Sequence, residues 1–315
     1  MRYVLSFICL SALLTSSALA TAPSGAVPDG DKAGGAGAMG SRPVRVEKRA
    51  VIAAGEEHTC ALDARGRVAC WGWNASSQAS PPRGSFVHID AGSNSTCALD
   101  RKGRAVCWGD NREGQSSPPR GSFTDIAVGS AHACALDRRG RVVCWGNNKY
   151  GRCTPPKGSF TDIDAASWHT CALNTKGEVV CWGKKAYGES APPSGPFSRI
   201  ATHDRQFCAL DLTGRAVCWR REGLNLASAA SGSFTDITAG GWSTCALDSE
   251  GSVVCWGQDK AGESKPPGGS FTDIATGGSH TCARDTQGKV ACWGANWRGQ
   301  SAPPSSLDRS GRTSR

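Results

Sequence analysis

The chain is poor in methionine and tyrosine, with two and three residues, while its eleven tryptophans outnumber its eight phenylalanines. Its one marked apolar run, Val4 to Leu14, is too short for a stable membrane span, and no other stretch is long and apolar enough to cross a bilayer. The repeated part of the chain shows no apolar period of helix length, which argues against a helical fold. No G-x-S-x-G, H-E-x-x-H or phosphate-binding loop occurs, so the common hydrolase, zincin and nucleotide-site chemistries have no recognisable residue set. Charge is unbalanced, with 36 Lys and Arg against 27 Asp and Glu, a net charge of +9. That balance favours anionic partners or surfaces without naming one.

Cysteine is abundant and periodic. Cys60, Cys97, Cys134, Cys171, Cys208, Cys245 and Cys282 recur every 37 residues, and each is followed ten positions later by Cys70, Cys107, Cys144, Cys181, Cys218, Cys255 or Cys292. A period of that size marks a solenoid, a propeller or an array. Residues 46–304 hold the seven units. Residues 1–20 read as a signal peptide, with Arg2 ahead of the apolar run and Ala18-Leu19-Ala20 as a small-residue cleavage site. Cys9 lies in that run and is expected to be removed. Residues 21–45 form a Gly-, Ala- and Pro-rich flexible leader, and residues 305–315 a basic, disordered tail. Export would place the mature chain in the extracellular space or a periplasm, where disulfides persist. Cys153 stands outside the pattern, in the place of residues such as Ser116, and is expected as a free thiol.

One unit, residues 121–156, reads as three strands: Phe123 to Val128, His132 to Asp137 and Arg141 to Trp145. Asp137 and Gly140 take the first and fourth positions of a type I turn. A three-residue loop with a glycine bulge sets Asp137 opposite Arg141, Leu136 opposite Val142 and Cys134 opposite Cys144. The cysteines then form a non-hydrogen-bonded pair with Cα atoms about 4.5 Å apart, within reach of a disulfide. A four-sulfur zinc site would need pairs from two units, and C-x9-C is not a zinc-knuckle spacing. The expectation is therefore one disulfide per unit, with no metal or cofactor. Cys134, Leu136 and Val142 share one face, and Ala135, Val143 and Trp145 the other. Both faces are apolar, which suits a blade packed between blades. Trp71, Trp108, Trp145, Trp182, Trp219, Trp256 and Trp293 would be the wedges between them.

The phrase F-T-D-I-A-x-G-x-x-H-x-C-A-L-D-x-x-G-x-V-x-C-W-G-x-N-x-x-G-Q-x-x-P-P resembles the regulator-of-chromosome-condensation repeat, especially the short bacterial version found in secreted β-lactamase-inhibitor propellers. The resemblance covers all seven units. It implies an all-β fold: a seven-bladed β-propeller with three-stranded antiparallel blades. Departures from the pattern are the cysteine pairs themselves, Trp219-Arg220-Arg221 and the missing Pro-Pro in repeat five, and Arg284 where six repeats carry Leu. Arg284 is expected at the seam with blade one. The repeats start with a first strand, Ala50 to Ala54, and end after a third, so no blade would mix strands from both termini unless Val44-Arg45-Val46 supplies an extra one. The family pattern carries His at the positions of His58, His132, His169 and His280, which implies packing and hydrogen bonding there rather than catalysis. Exchange activity on a small GTPase, known for the nuclear branch of the family, would be out of place in an exported chain.

Three-stranded geometry sends the first turns and the segments after Trp-Gly to one end, the top, and the Asp-x-x-Gly turns to the bottom. The bottom is basic, with Arg65, Arg67, Arg101, Lys102, Arg104, Arg138, Arg139, Arg141, Lys176 and Arg215, a candidate polyanion patch. The variable top carries the candidate binding residues Trp73, Arg112, Tyr150, Trp168, Tyr187, Arg205, Arg220, Trp242 and Trp297, among Lys149, Lys184, Lys185, Arg221 and Arg298. Exposed Trp, Tyr and Arg on loops of a rigid scaffold are the types that anchor interfaces. The reading is a secreted, non-enzymatic, monomeric binding scaffold for an extracellular or envelope protein, an acidic one. One alternative is an inhibitor of a β-lactamase or penicillin-binding enzyme, of whose aromatic first turns only Trp168 and Trp242 are kept. Another is a glycan- or polyanion-active envelope protein.

Overall fold

The computed structural model describes residues 51–184, 192–204, 206–219, 230–305 and 307. They form seven three-stranded antiparallel sheets, each built from one repeat in simple up-and-down order. Blade one comprises Ile52–Ala54, His58–Leu62 and Val68–Gly72; blade three comprises Phe123–Val128, His132–Asp137 and Val142–Gly146. The signal-peptide and leader segments lie outside the described residues.

The hairpin register follows from the turn. The Asp137 carboxylate accepts the Arg139 and Arg141 backbone N–H groups at 2.8 and 2.9 Å, and Gly140 takes a φ of 75°. Leu136 then pairs with Val142 and Cys134 with Cys144. All seven disulfides are within blades, with Cα separations of 4.0 to 4.1 Å. Seven disulfides, each with one cysteine fully buried, suit an oxidising compartment.

Both faces of a blade are buried. Cys97 and Leu99 of blade two pack with Phe123, Ala135 and Trp145 of blade three; Cys134, Leu136 and Val142 on the other side of blade three pack with Phe160, Ala172 and Trp182 of blade four. Several of the wedges are also latched. The indole N–H of Trp108, Trp145, Trp182 and Trp293 donates to the carbonyl of Gln78, Gln115, Arg152 and Glu263 in the preceding repeat, at 2.8 to 2.9 Å. Inner strands present an open edge that must be satisfied. Asp carboxylates of one blade do this for the next: Asp90 accepts the Val128 N–H, Asp162 the Ile200 N–H and Asp164 the Thr202 N–H.

Among the described residues the ring closes without a shared blade. Asp273 of blade seven accepts the N–H groups of Val51 and Ile52 at 2.7 and 2.9 Å, and the Gln300 carbonyl accepts the indole N–H of Trp71 at 2.8 Å. The seam core differs from the others. Six inner strands begin with Phe, and blade one has Arg49 at that position, outside the described residues. The Phe N–H elsewhere meets the preceding turn glycine, as Phe160 meets Gly140 at 2.8 Å. At the seventh turn the neighbour of Gly288 is instead the guanidinium of Arg284. A Leu at 284 would have faced a core without its Phe, which accounts for the arginine. Leu307, counted above with the tail, is 9% exposed and joins Ile52, Trp71, Cys282 and Val290 in the seam core.

Cys153 is free and half-buried. Its thiol donates to the Trp145 and Asn147 carbonyls, both at 3.4 Å, much as Ser301 donates to the Trp293 and Ala295 carbonyls. It serves as a serine surrogate, and burial pushes its pKa up to about 11.

Candidate binding face

The first turns and the segments after Trp-Gly meet at one end through backbone hydrogen bonds. Trp73 N–H donates to the Glu57 carbonyl, Asn147 to Ala131, Lys184 to Trp168 and Gln258 to Trp242, at 2.8 to 3.0 Å. The segment after Trp-Gly is shaped by one side chain. The amide oxygens of Gln78, Gln115 and Gln300 and the carboxylate of Glu263 accept the N–H two residues upstream, from Ser76, Glu113, Arg298 and Ala261 respectively.

Repeat three carries Arg152 at this position, and an arginine has no acceptor to offer. The Arg152 guanidinium, 2% exposed as a residue, donates instead to the Ser167 carbonyl at 2.8 Å and to Asn147 Oδ1 at 2.9 Å. Without the tether, Tyr150 adopts a left-handed conformation, φ 66° and ψ 13°. That costs about 1 kcal/mol for a residue with a side chain. Tyr150 is thereby turned outward, 48% exposed, and meets Trp168 of blade four edge-on at 6.2 Å. Cations lie over both rings: Arg152 and Lys184 over Trp168 at 5.3 and 5.2 Å, Lys149 and Lys184 over Tyr150 at 5.3 and 5.5 Å. Arg152 was not singled out in the sequence, although an Arg among Gln78, Gln115 and Gln300 was the available signal.

The other candidates separate. Trp73 is half-buried beneath Arg298, whose guanidinium lies 4.0 Å from its ring. Trp297, 62% exposed, donates its indole N–H to Glu57 Oε1 at 3.0 Å. Arg112 is committed to Asp110 of its own loop at 2.7 Å. Trp242 is 49% exposed. Tyr187, Arg205 and Arg220, with Lys185 and Arg221, lie outside the described residues. At the mouth of the central channel, Ser93, Ser130 and Ser167 hydrogen-bond in series at 2.6 Å, and the Ser167 N–H donates to Asp204 at 2.9 Å. The channel below holds about 130 Å³ and is lined by Asp90, Asp164, Asp236 and Asp273 among others.

The bottom is less free than its composition implies. Arg67, Arg104, Arg141 and Arg215 are paired with the turn aspartates Asp63, Asp100, Asp137 and Asp211 at 2.7 to 3.2 Å. The histidines are scaffold. His58, His132 and His280 are fully buried, and their Nε2 atoms meet the Thr hydroxyl of the next blade, Thr96, Thr170 and Thr59, at 2.7 to 2.8 Å. His169 faces Phe207 in place of that Thr, with ring centroids 4.7 Å apart. Burial lowers all four: His58 and His169 to about 4, His132 and His280 to about 3. They are neutral at physiological pH, and no group of metal-ligating residues occurs among the described residues.

A family model, regulator of chromosome condensation (RCC1) repeat, matches residues 50–78, 86–115, 123–152, 160–189, 234–263 and 271–300, together more than half of the chain. Repeat five is not among the matched segments. No curated protein matches the chain. Among solved structures the chain is similar to the CRINKLY WD40 ectodomain of the Arabidopsis thaliana receptor kinase ACR4, at 23% identity over 80% of this chain and 96% of that one, TM-score 0.69. It is also similar to the ectodomain of the Physcomitrella patens receptor kinase CR4, at 25% identity over 78% and 72%, TM-score 0.67. Human WBSCR16 shares the fold at 16% identity over 79% and 87%, TM-score 0.63.

Proposed function

The chain belongs to the regulator of chromosome condensation (RCC1) repeat family, and from that premise we propose that it is an exported, non-enzymatic scaffold whose top loops capture an acidic protein partner. The observation that carries the reading is the cluster of Tyr150 and Trp168 between blades three and four. Both rings are exposed, held by cations, and placed on loops where the repeat pattern is broken. Large aromatic groups of this kind contribute most of the energy of protein interfaces. The seven disulfides suit an extracellular or periplasmic setting, as does likeness to the CR4 structure, an ectodomain. The first-turn serines are bound to one another, which reduces an inhibitor-like aromatic face to Trp168 and Trp242. Four of the bottom arginines are neutralised by their own turns, which weakens the polyanion reading.

Capture of the partner from native envelope and medium tests the assignment of faces. Trp168→Ala with Trp242→Ala should weaken capture more than tenfold while thermal stability stays within a few degrees. If replacing Arg101, Lys102, Arg138 and Arg139 abolishes capture and the Trp changes do nothing, the bottom is the working face and the reading is wrong.

A further inference from the structure

We propose that the Tyr150–Trp168 corner is the docking point for an acidic peptide segment of the partner, its carboxylates received by Lys149 and Lys184. The proposal rests on the top-face reading and adds the place and chemistry of the contact.

Three features make this corner a built site. The first is the backbone. Tyr150 is held at φ 66°, a conformation that a bulky residue adopts at a cost, and such strain persists where surrounding structure enforces it. The second is Arg152, buried and fixed at both ends to Ser167 and Asn147, which underpins Trp168 and is itself out of reach of a ligand. The third is charge. Lys149 is exposed beside Tyr150, and the Lys184 ammonium lies within 5.5 Å of both ring centroids.

The arrangement selects among anions. Each ring already carries two cations, so a pyranose would have to displace one to stack on those faces. A carboxylate gains from both features, since ammonium groups and the positive ring edges attract it. The half-exposed rings give an apolar anchor for the carbon chain of a glutamate or its neighbour. An acidic segment laid across the blade three to blade four seam satisfies all three. The net charge of +9 would speed its approach and make it sensitive to salt.

The test uses the whole protein and a fluorescein-labelled peptide of ten glutamates, with ten glutamines as the uncharged control, followed by fluorescence anisotropy. Wild type should bind the glutamate peptide and not the glutamine one. Trp168→Ala, and separately Lys149→Glu with Lys184→Glu, should weaken binding at least tenfold. Arg101→Glu with Arg138→Glu at the bottom makes the same change in net charge and should alter binding less than twofold. Unreduced thermal unfolding confirms that each variant is folded. No binding by wild type, or equal losses from the two charge-reversal pairs, overturns the proposal. Loss from Trp242→Ala or Trp297→Ala with none from Trp168→Ala keeps the top-face reading and refutes this site. Tighter binding of polygalacturonate, lost on the same top substitutions, would make the ligand a saccharide and also refute it.

Discussion

Replacing His132 by Gln should make the propeller more resistant to acid. His132 is fully buried, its Nε2 meets the Thr170 hydroxyl at 2.8 Å, and burial lowers its pKa to about 3, with the Arg152 and His169 charges adding to the shift. Unfolded, the same imidazole titrates near 6.5. The folded state therefore binds fewer protons than the unfolded state as the pH falls. Full stability is present above pH 6.5 and is lost progressively down to the folded pKa. At pH 5 the loss from one such histidine is about 2 kcal/mol. His58, His169 and His280 act in the same direction, so the four together would cost at most about 8 kcal/mol at pH 5. The sum is an upper bound, because His280 is also lowered by His58. Gln is the natural choice, since Gln206 fills this place in blade five and accepts from Thr244 at 3.4 Å. Guanidinium unfolding with disulfides intact, followed by Trp fluorescence at pH 7 and pH 5, measures the effect. The variant should lose about 2 kcal/mol less than wild type between the two. An identical loss in both proteins would refute the reasoning.

Peptide mapping without reduction should recover Cys60 with Cys70 and the six equivalent pairs, and any bridge between repeats would contradict the register. Cys153→Ser should change stability by less than about 0.5 kcal/mol, because the thiol occupies a serine site; in wild type, iodoacetamide at pH 8 should label it far more slowly than a free cysteine, as its raised pKa requires. Tyr150→Gly should stabilise the chain by about 1 kcal/mol in thermal unfolding by removing the left-handed strain, while Arg152→Gln should return the loop to the geometry of Gln115 and weaken any ligand of the corner. Leu307→Ala should cost about 2 kcal/mol by leaving a void at the seam, and an unchanged melting temperature would show that Leu307 does not help close the ring.

Much of this fold can be read in the sequence because a repeat states the same solution seven times. The Asp137 turn fixes the register, the register pairs the cysteines, and the alternation of Cys134 with Ala135 assigns the faces, each step local. The strand ends shift by a residue or two, to Ile52 and Val142, where no side chain marks the boundary. The latches from Trp108 to Gln78 and from Val128 to Asp90 were not legible, since backbone partners in neighbouring repeats leave no residue signature. At the top, exposed tryptophans could be found from their absence elsewhere in the repeat. Their grouping could not: Trp73 is covered by Arg298, and the Tyr150 corner depends on the buried Arg152.

The departures from the repeat fall into two kinds, and the difference separates scaffold from site. Arg284 stands where blade one lacks a Phe, and Leu307 fills the same core; Phe207 replaces a Thr and stacks on His169. These changes restore packing and leave the surface as it was. Arg152 does the reverse. A Gln would have satisfied the loop, as it does in three other repeats, and the arginine gives up that bond and forces Tyr150 into a costly conformation. What the exchange produces is an exposed aromatic corner ringed by cations. A departure that lowers local stability and gains only surface chemistry is expected where binding has set the residue, and in the described part of this propeller it falls between blades three and four.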